Sequence, residues 1–435
     1  MRFLTILLTL FPLMAFGQAF TLEQCIDSAI QNNLLIKKNA VSIKIADITL
    51  KNSKQNLLPS INANVVHGYN WGQTIDPFTN QFATNQVQYD NFYLSSSVIL
   101  FSGLQSYYSI KANNLGSRQS QLALVVDIRN LKMDISSAFL QVLLNQSILE
   151  ISENNLDKTK QQLNRIIELK TANQATQFDL SEIEGQLSLD KYFVTKAKND
   201  VNFSKLLLQQ LMNIKLSEQF EIEEEFEVKN QINLTTIDDS IIETFPDITS
   251  INLGVEKQLM LVKSVKGRYY PSLLLSGSLG SGYSGNNKEY QPDGTFSPKA
   301  FNRQLNENFY QSAQLTLNIP IFNKNATRNQ IKIAELQLQS LYLDKESEYN
   351  QLKQKIEQLS MDIINESEQY TALQKVQEAS SLNYGNFKTR YENGDITFVQ
   401  LREAQNKLFN AESNLIQSEY QLKFKSVLLS FYFIN

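Results

Sequence analysis
The spacing of apolar residues along this chain switches from helical to alternating and back, twice and in the same order. Thr21-Leu22-Glu23-Gln24 opens the first helix with a threonine able to cap it and a glutamine three residues on. Ile26, Ala29 and Ile30, then Ile36, Ala40, Ile43 and Ala46, keep helical spacing to an expected end near Leu57. Pro59 stops the helix, because the residue before a proline is pushed out of helical backbone. From Ser60 the period becomes two. Ile61, Ala63, Val65, His67, Tyr69 and Trp71 fall on one face, with Ser60, Asn62, Asn64, Val66, Gly68 and Asn70 on the other. Residues 72–90 are turn-rich and read as a loop. A return strand over roughly 91–101 then sets Phe92, Leu94, Val98 and Leu100 against Tyr93, Ser95 and Ser97.

The second hairpin follows the same plan. Leu273, Leu275, Leu279 and Tyr283 oppose Ser272, Ser276, Ser278 and Gly280. After a loop at 284–307, Ala313, Leu315, Leu317, Ile319 and Ile321 alternate with Ser312, Gln314, Thr316 and Asn318. These polar faces are small and uncharged, as a water-filled lumen would have them, whereas a solvent face would carry Lys and Glu. Strands of this length suit tilted membrane spans of about 10 residues.

Long helical stretches follow each hairpin. Leu124, Ile128, Leu131, Ile135, Ala138, Val142, Leu149, Leu156, Leu163 and Ile166 hold a step of about 3.5 residues, the signature of coiled-coil packing. Residues 104 to 169 as one helix would measure about 100 Å at 1.5 Å per residue. Both long stretches end in a turn, near Asn173 and near Gly394, and helices return over 180–211 and 401–429. The chain is therefore duplicated. Residues 22–71 align with 234–283 at a shift of 212, and the segments around Leu180 and Leu401 align at a shift of 221. The growth of the shift falls in the second hairpin loop, where insertions are tolerated.

The expected organisation is a signal peptide at 1–17 and a first repeat at 18–212, with its hairpin at about 60–101 and long helices at about 102–212. A connector at 213–236 carries Glu221, Glu223, Glu224, Glu225 and Glu227. The second repeat, 237–435, has its hairpin at about 271–322 and long helices at about 323–433.

The ends of the chain and its rare residues narrow the function. Met1-Arg2, an apolar run to Phe16 and then Gly17-Gln18-Ala19 describe a secretory signal expected to be cleaved after Gly17, with Ala19 as the alternative site. No later run reaches the ~20 apolar residues of a spanning helix, so membrane insertion would require a closed β-barrel. Cys25 is the only cysteine, which excludes an internal disulfide, and no small-residue box precedes it to mark lipidation. His67 is the only histidine, which excludes His-rich metal sites and Ser-His-Asp or Cys-His catalysis. No cofactor is expected. The net charge of −4 gives no reason to expect a nucleic-acid partner.

The order and spacing of several motifs carry a resemblance. Thr21-Leu22-Glu23-Gln24-Cys25, the Leu58-Pro59-Ser60 hinge, Val98-Ile99-Leu100-Phe101-Ser102-Gly103, Tyr391-Glu392-Asn393-Gly394 and Leu401-Arg402-Glu403-Ala404-Gln405 together resemble the TolC-like outer membrane factors. The resemblance implies a homotrimer, with four strands per chain in a 12-stranded outer membrane barrel and the helices in a periplasmic α-helical barrel. It implies the exit duct of a tripartite efflux or type I secretion system, set in outer membrane lipid. The partners would be a periplasmic adaptor and an inner-membrane pump of RND, ABC or MFS type. By the family pattern, Asp179, Glu182 and Glu403 would be periplasmic gate acids, with Gln400 standing where a fourth acid is expected. The turns at 171–178 and 392–399, set by Asn173 and Gly394 and including Asp395, would dock the adaptor. Tyr69, Trp71 and Tyr283 read as membrane-interface aromatics. The competing reading is a periplasmic coiled-coil tether that forms no pore.

Overall fold
The computed structural model describes residues 19–83, 86–216, 220–223 and 239–433. The signal segment and the connector residues Glu224, Glu225 and Glu227 lie outside the described residues. The first half runs α1 (Leu22–Asn32), α2 (Leu34–Gln55), β1 (Ser60–Trp71), β2 (Thr74–Ile75), β3 (Phe82–Ala83), β4 (Gln86–Ser102), α3 (Gln105–Thr171) and α4 (Gln177–Leu211). The second runs α5 (Asp239–Ile242), α6 (Pro246–Lys266), a 3₁₀ turn (Gly267–Tyr269), β5 (Ser272–Ser284), β6 (Lys288–Tyr290), β7 (Phe296–Pro298), α7 (Phe301–Glu307), β8 (Tyr310–Asn318), α8 (Ala326–Glu392) and α9 (Phe398–Phe433).

The duplication is carried into the element boundaries. Helices α3 and α8 are both 67 residues long, and their ends differ by the same 221 positions. Strands β1 and β5 start 212 positions apart, as do α2 and α6.

Several expectations need correction. The first helix is two helices. Asn33 leaves helical backbone, and its side chain accepts from the Leu35 and Ile36 amides at 2.8 and 3.2 Å, so it caps α2. The second copy breaks at the same place with Pro246 as the first residue of α6, a position where a missing N–H costs nothing. The return strand β4 begins at Gln86 rather than 91. Strand β8 stops at Asn318, before Pro320, which has no N–H to extend the ladder. The loop at 284–307 contains β6, β7 and α7.

The chain packs as two compact units, each drawing on both repeats. One gathers residues 42–121 and 250–346. Its centre is an antiparallel sheet in the order β1-β4-β5-β8. Register sorts the sheet into one mainly polar and one mainly apolar face, the His67–Asp90 pair and Gln311 being exceptions on the latter. Asn62, Ser95, Ser278 and Ser312 form one cross-sheet row on the polar face, and Ser278 and Ser312 share a 2.7 Å hydrogen bond. On the other face Ala63, Leu94 and Leu279 form one row, and Val98, Leu275 and Leu315 another. A one-residue slip would exchange the faces, so this pattern fixes the register. A bulge between Ile99 and Phe101 ends the alternation just before α3.

The chain leaves this sheet through a close backbone contact. Gly103 has φ +62°, and a Cβ placed on it would lie 2.2 Å from the Gly267 carbonyl oxygen and 2.8 Å from Tyr270 Cβ. The first feature needs left-handed backbone and the second needs the absence of a side chain. At the opposite end of the sheet, buried Asp76 accepts from the Phe78 and Thr79 amides at 2.9 and 3.2 Å and from the Ser284 hydroxyl. Buried Gln304 of α7 accepts from the Ser284 amide at 3.0 Å and donates to the Ser284 carbonyl at 3.1 Å.

The other unit gathers the described parts of 1–41, 122–249 and 347–435. Its largest core joins Cys25 and Ala29 of α1 to Ile135, Phe139 and Leu143 of α3 and Leu208 of α4, all at most 2 % exposed. A second core joins Ile242, Phe245 and Ile248 to Leu352, Ile356, Leu429 and Tyr432. Beside it Arg129 donates to Asp247 at 2.6 and 2.8 Å and lies over the Tyr432 ring. Along α4 the buried positions Ile183, Gln186, Asp190, Val194, Ala197, Val201, Ser204 and Leu208 step by three and four, which is coiled-coil spacing.

Two outcomes follow. Gly103→Ala should destabilise the fold by about 1–3 kcal/mol, from strained backbone plus overpacking. A thermal melt unchanged from the parent would contradict the contact with Gly267. Burial pushes the Cys25 thiol up to about 12, so a maleimide should label it only after denaturation.

Candidate gate at the helix reversals
The two helix reversals are built from the same local parts. In the first, Asn173 has φ +57°, its amide donates to the Lys170 carbonyl at 3.0 Å, and the Gln174 amide donates to Leu169 at 2.7 Å. In the second, Gly394 has φ +83°, its amide donates to Tyr391 at 3.1 Å, and the Asp395 amide donates to Arg390 at 2.9 Å. This is the left-handed C-cap that satisfies the last carbonyls of a helix. Asn and Gly are the two residue types that enter it readily. Asn173, Gly394 and Asp395 are all exposed.

Each returning helix then starts on a capping box. Thr176 accepts from the Asp179 amide at 3.1 Å, while the Asp179 carboxylate accepts from the Thr176 amide at 2.9 Å and its hydroxyl at 2.7 Å. At the matching place in the second copy, the Thr397 amide donates to the Gln400 side-chain oxygen at 3.0 Å. Glu and Gln are the usual third residues of such a box, and here Asp and Gln both serve. The difference between Asp179 and Gln400 therefore changes charge while conserving the cap.

The acids named from sequence differ in their surroundings. Asp179 is half-buried and occupied by its cap, and the Tyr391 hydroxyl close by is pushed up by burial first and by the Asp179 charge second. Glu182 on α4 pairs with Arg402 on α9, both about one-third exposed or less. Glu403 is exposed. Ile166, Ile183 and Phe398 form a small buried apolar core, with Leu180 and Tyr391 packed against it. Arg402 stands beside Glu403 in a motif legible in the sequence, but its partner Glu182 is 220 positions away.

Further along the helices lies a buried polar network invisible to the apolar pattern. Asp190, 1 % exposed, accepts from Thr159 at 2.6 Å, Gln186 at 2.8 Å and Asn155 at 3.1 Å. Gln405 donates to Asn155 at 2.9 Å and Thr159 at 3.0 Å, and accepts from Gln162 at 2.7 Å. Helices α3, α4 and α9 are thus tied by groups that fit in only one register. Polar residues at buried coiled-coil positions characteristically fix register at a cost in stability. A carboxylate and an amide on the buried stripe, Gln186 and Asp190, were the available signal.

The aromatic positions divide. Tyr69 and Trp71 stack at 6.0 Å on one face of β1, and Trp71 is 74 % exposed. Tyr283 is half-buried, its ring 5.4 Å from Phe301 of α7. Among the described residues no cluster of His, Cys, Asp and Glu could hold a metal ion, and no helix is long and apolar enough to cross a membrane.

Comparison with known proteins agrees with this architecture. Residues 239–432 match the family model for outer membrane efflux proteins. No curated protein matches the sequence. Among solved structures, the Campylobacter jejuni CmeC outer membrane channel is similar at 16 % identity and TM-score 0.82, over 95 % of this chain and 85 % of that one. The Neisseria gonorrhoeae MtrE outer membrane channel, in its open state, is similar at 18 % identity and TM-score 0.76, over 94 % and 88 %. CusC is similar at 13 % identity and TM-score 0.81, over 94 % and 91 %. At these identities the likeness is one of fold.

The Asp190 carboxyl is held above its ordinary range by burial, against hydrogen bonds from Thr159, Gln186 and Asn155, all neutral. A folded-state value raised above the unfolded one contributes stability at low pH that is lost as pH rises through the folded value. Asp190→Asn should therefore flatten the melting temperature against pH from about 4 upward. Parallel curves for the two proteins would contradict this burial.

Proposed function
We propose, for a chain whose residues 239–432 match the outer membrane efflux protein model and whose fold is similar to that of outer membrane channels, that it is the exit duct of a tripartite export system. The observation that carries this reading is the sheet. It has one uncharged, mainly polar face, one mainly apolar face and two free edges, β1 and β8, among the described residues. Four strands fall short of the about eight of the smallest membrane barrels. Copies of the chain would pair β1 of one with β8 of the next, and three would give the 12-stranded barrel of the family. The apolar rows would face lipid, with Tyr69 and Trp71 at the interface, and the Ser and Asn rows would line the water-filled lumen. A coiled-coil tether has no use for such a sheet.

The protein is no enzyme. It supplies a route, while an adaptor and an inner-membrane pump supply selection and energy. The reversals at Asn173 and at Gly394 and Asp395 would dock the adaptor, being exposed, rigidly capped and repeated. At the gate, Glu182 is neutralised by Arg402, so Asp179 and Glu403 would carry the negative ring. The Glu182–Arg402 pair would act as a latch between α4 and α9 that splaying of the tips must break.

Purified protein should form channels in planar lipid bilayers. Glu403→Gln should lower the preference for cations over anions, as loss of a carboxylate ring does. Arg402→Ala removes a partly exposed pair of about 0.5–1 kcal/mol per chain, so three copies should favour opening about tenfold or more. A silent bilayer together with a wholly soluble periplasmic pool would overturn the reading. An Arg402→Ala channel with unchanged gating would overturn only the latch.

A further inference from the structure
Where α6 ends and α8 begins, the sheet-containing unit has a cleft of about 790 Å³ that the duct function leaves without a role. Lys266, Arg328 and Lys332 line it against a single carboxylate, Glu335, and Tyr269 and Tyr270 complete the wall. Lys266 pairs with Glu335 at 2.9 Å. Arg328 and Lys332 make no side-chain hydrogen bond or ion pair among the described residues, and Lys332 acts on Glu335 only through its charge, after Lys266, so the opening carries three cations against one carboxylate that Lys266 already pairs. Both tyrosines are more than half exposed, an arrangement that suits a ring lying between water and hydrocarbon.

The cleft adjoins the end of the apolar strands in the chain. Tyr270 is two residues before β5, and Arg328 is ten after the end of β8. Between β8 and α8 lie Ile319, Ile321 and Phe322, with Ile321 95 % and Phe322 78 % exposed. An anion with an apolar tail matches this pairing of excess cations and bare hydrocarbon, whereas a free inorganic ion would use only the first half. We infer that the cleft binds a phospholipid of the surrounding leaflet, with Arg328 and Lys332 on the headgroup phosphate, Tyr269 and Tyr270 beside the glycerol region, and acyl chains along Ile319, Ile321 and Phe322. This inference rests on the outer membrane placement proposed above. Bound lipid would hold the start of α8 at a constant depth, as a basic and aromatic anchor does.

Native mass spectrometry of the detergent-purified full-length protein with added dimyristoyl phosphatidylglycerol tests the site. The parent should retain one lipid per chain, Arg328→Gln/Lys332→Gln should bind at least tenfold more weakly, and Arg328→Lys/Lys332→Arg should bind like the parent. Equal lipid retention by all three would overturn the inference. Displacement of the lipid by millimolar inorganic phosphate would also overturn it and make the cleft a free-anion site. Each preparation is tested in planar bilayers as well. Conducting channels without lipid retention sink the lipid site and leave the duct standing. Absence of channels in the parent sinks the duct.

Discussion
An unpaired backbone N–H or C=O in hydrocarbon costs several kcal/mol, and every other feature of this chain can be read as a response to that constraint. The sheet satisfies its inner strands internally, but β1 and β8 each present a row of amides and carbonyls. In water an edge of this kind is a liability blunted by charge. Here β8 carries none along Tyr310–Asn318, and β1 carries only His67, paired with Asp90 of β4. Edges left this clean are suited to pairing. The duplicated hairpin supplies each edge from a different repeat, so one interface joins unlike copies of the ancestral unit.

The helical unit answers a different demand, which is to reverse direction twice without a bulky loop. Both reversals use a left-handed cap followed by a Thr-led capping box, and both are identical in hydrogen-bond plan although their residues differ. This changes the reading of the acids. Asp179 has a structural duty that Gln400 also performs, Glu182 is compensated by Arg402, and of the three acids named from sequence Glu403 is the exposed one with neither cap nor ion pair among the described residues. Behind the tips, the Asp190 network makes register costly to change, because any slip leaves a buried carboxylate without its three donors.

The fold was legible where one physical rule acted over a long stretch. Alternation located β1 and β5 to within a residue, and the coiled-coil step located α3 and α8, because burial imposes those periods over many residues. It failed where a single residue decides. Asn33 breaks the first helix by capping the next one, a role that its neighbours' apolar spacing conceals. The Gln86 carbonyl at the start of β4 accepts from Asn286, β6 and β7 pair with each other, Arg303 of α7 reaches Glu289 of β6, and Gln304 fixes α7 to Ser284, all through polar residues that resemble loop residues in sequence. The Glu182–Arg402 pair and the Asp190 network unite positions more than 200 residues apart, and only folding brings them together.

Closure between copies can be tested directly on this chain. Its one cysteine is buried and inert, and β1 and β8 of the same sheet are three strand steps apart, about 14 Å, too far for a disulfide. One cysteine introduced on β1 and one on β8, scanned in register over 60–71 and 310–318, therefore report only contacts between chains. In outer membranes at least one register should oxidise to a ladder ending at a covalent trimer. Membrane-embedded protein in which no register crosslinks would contradict it.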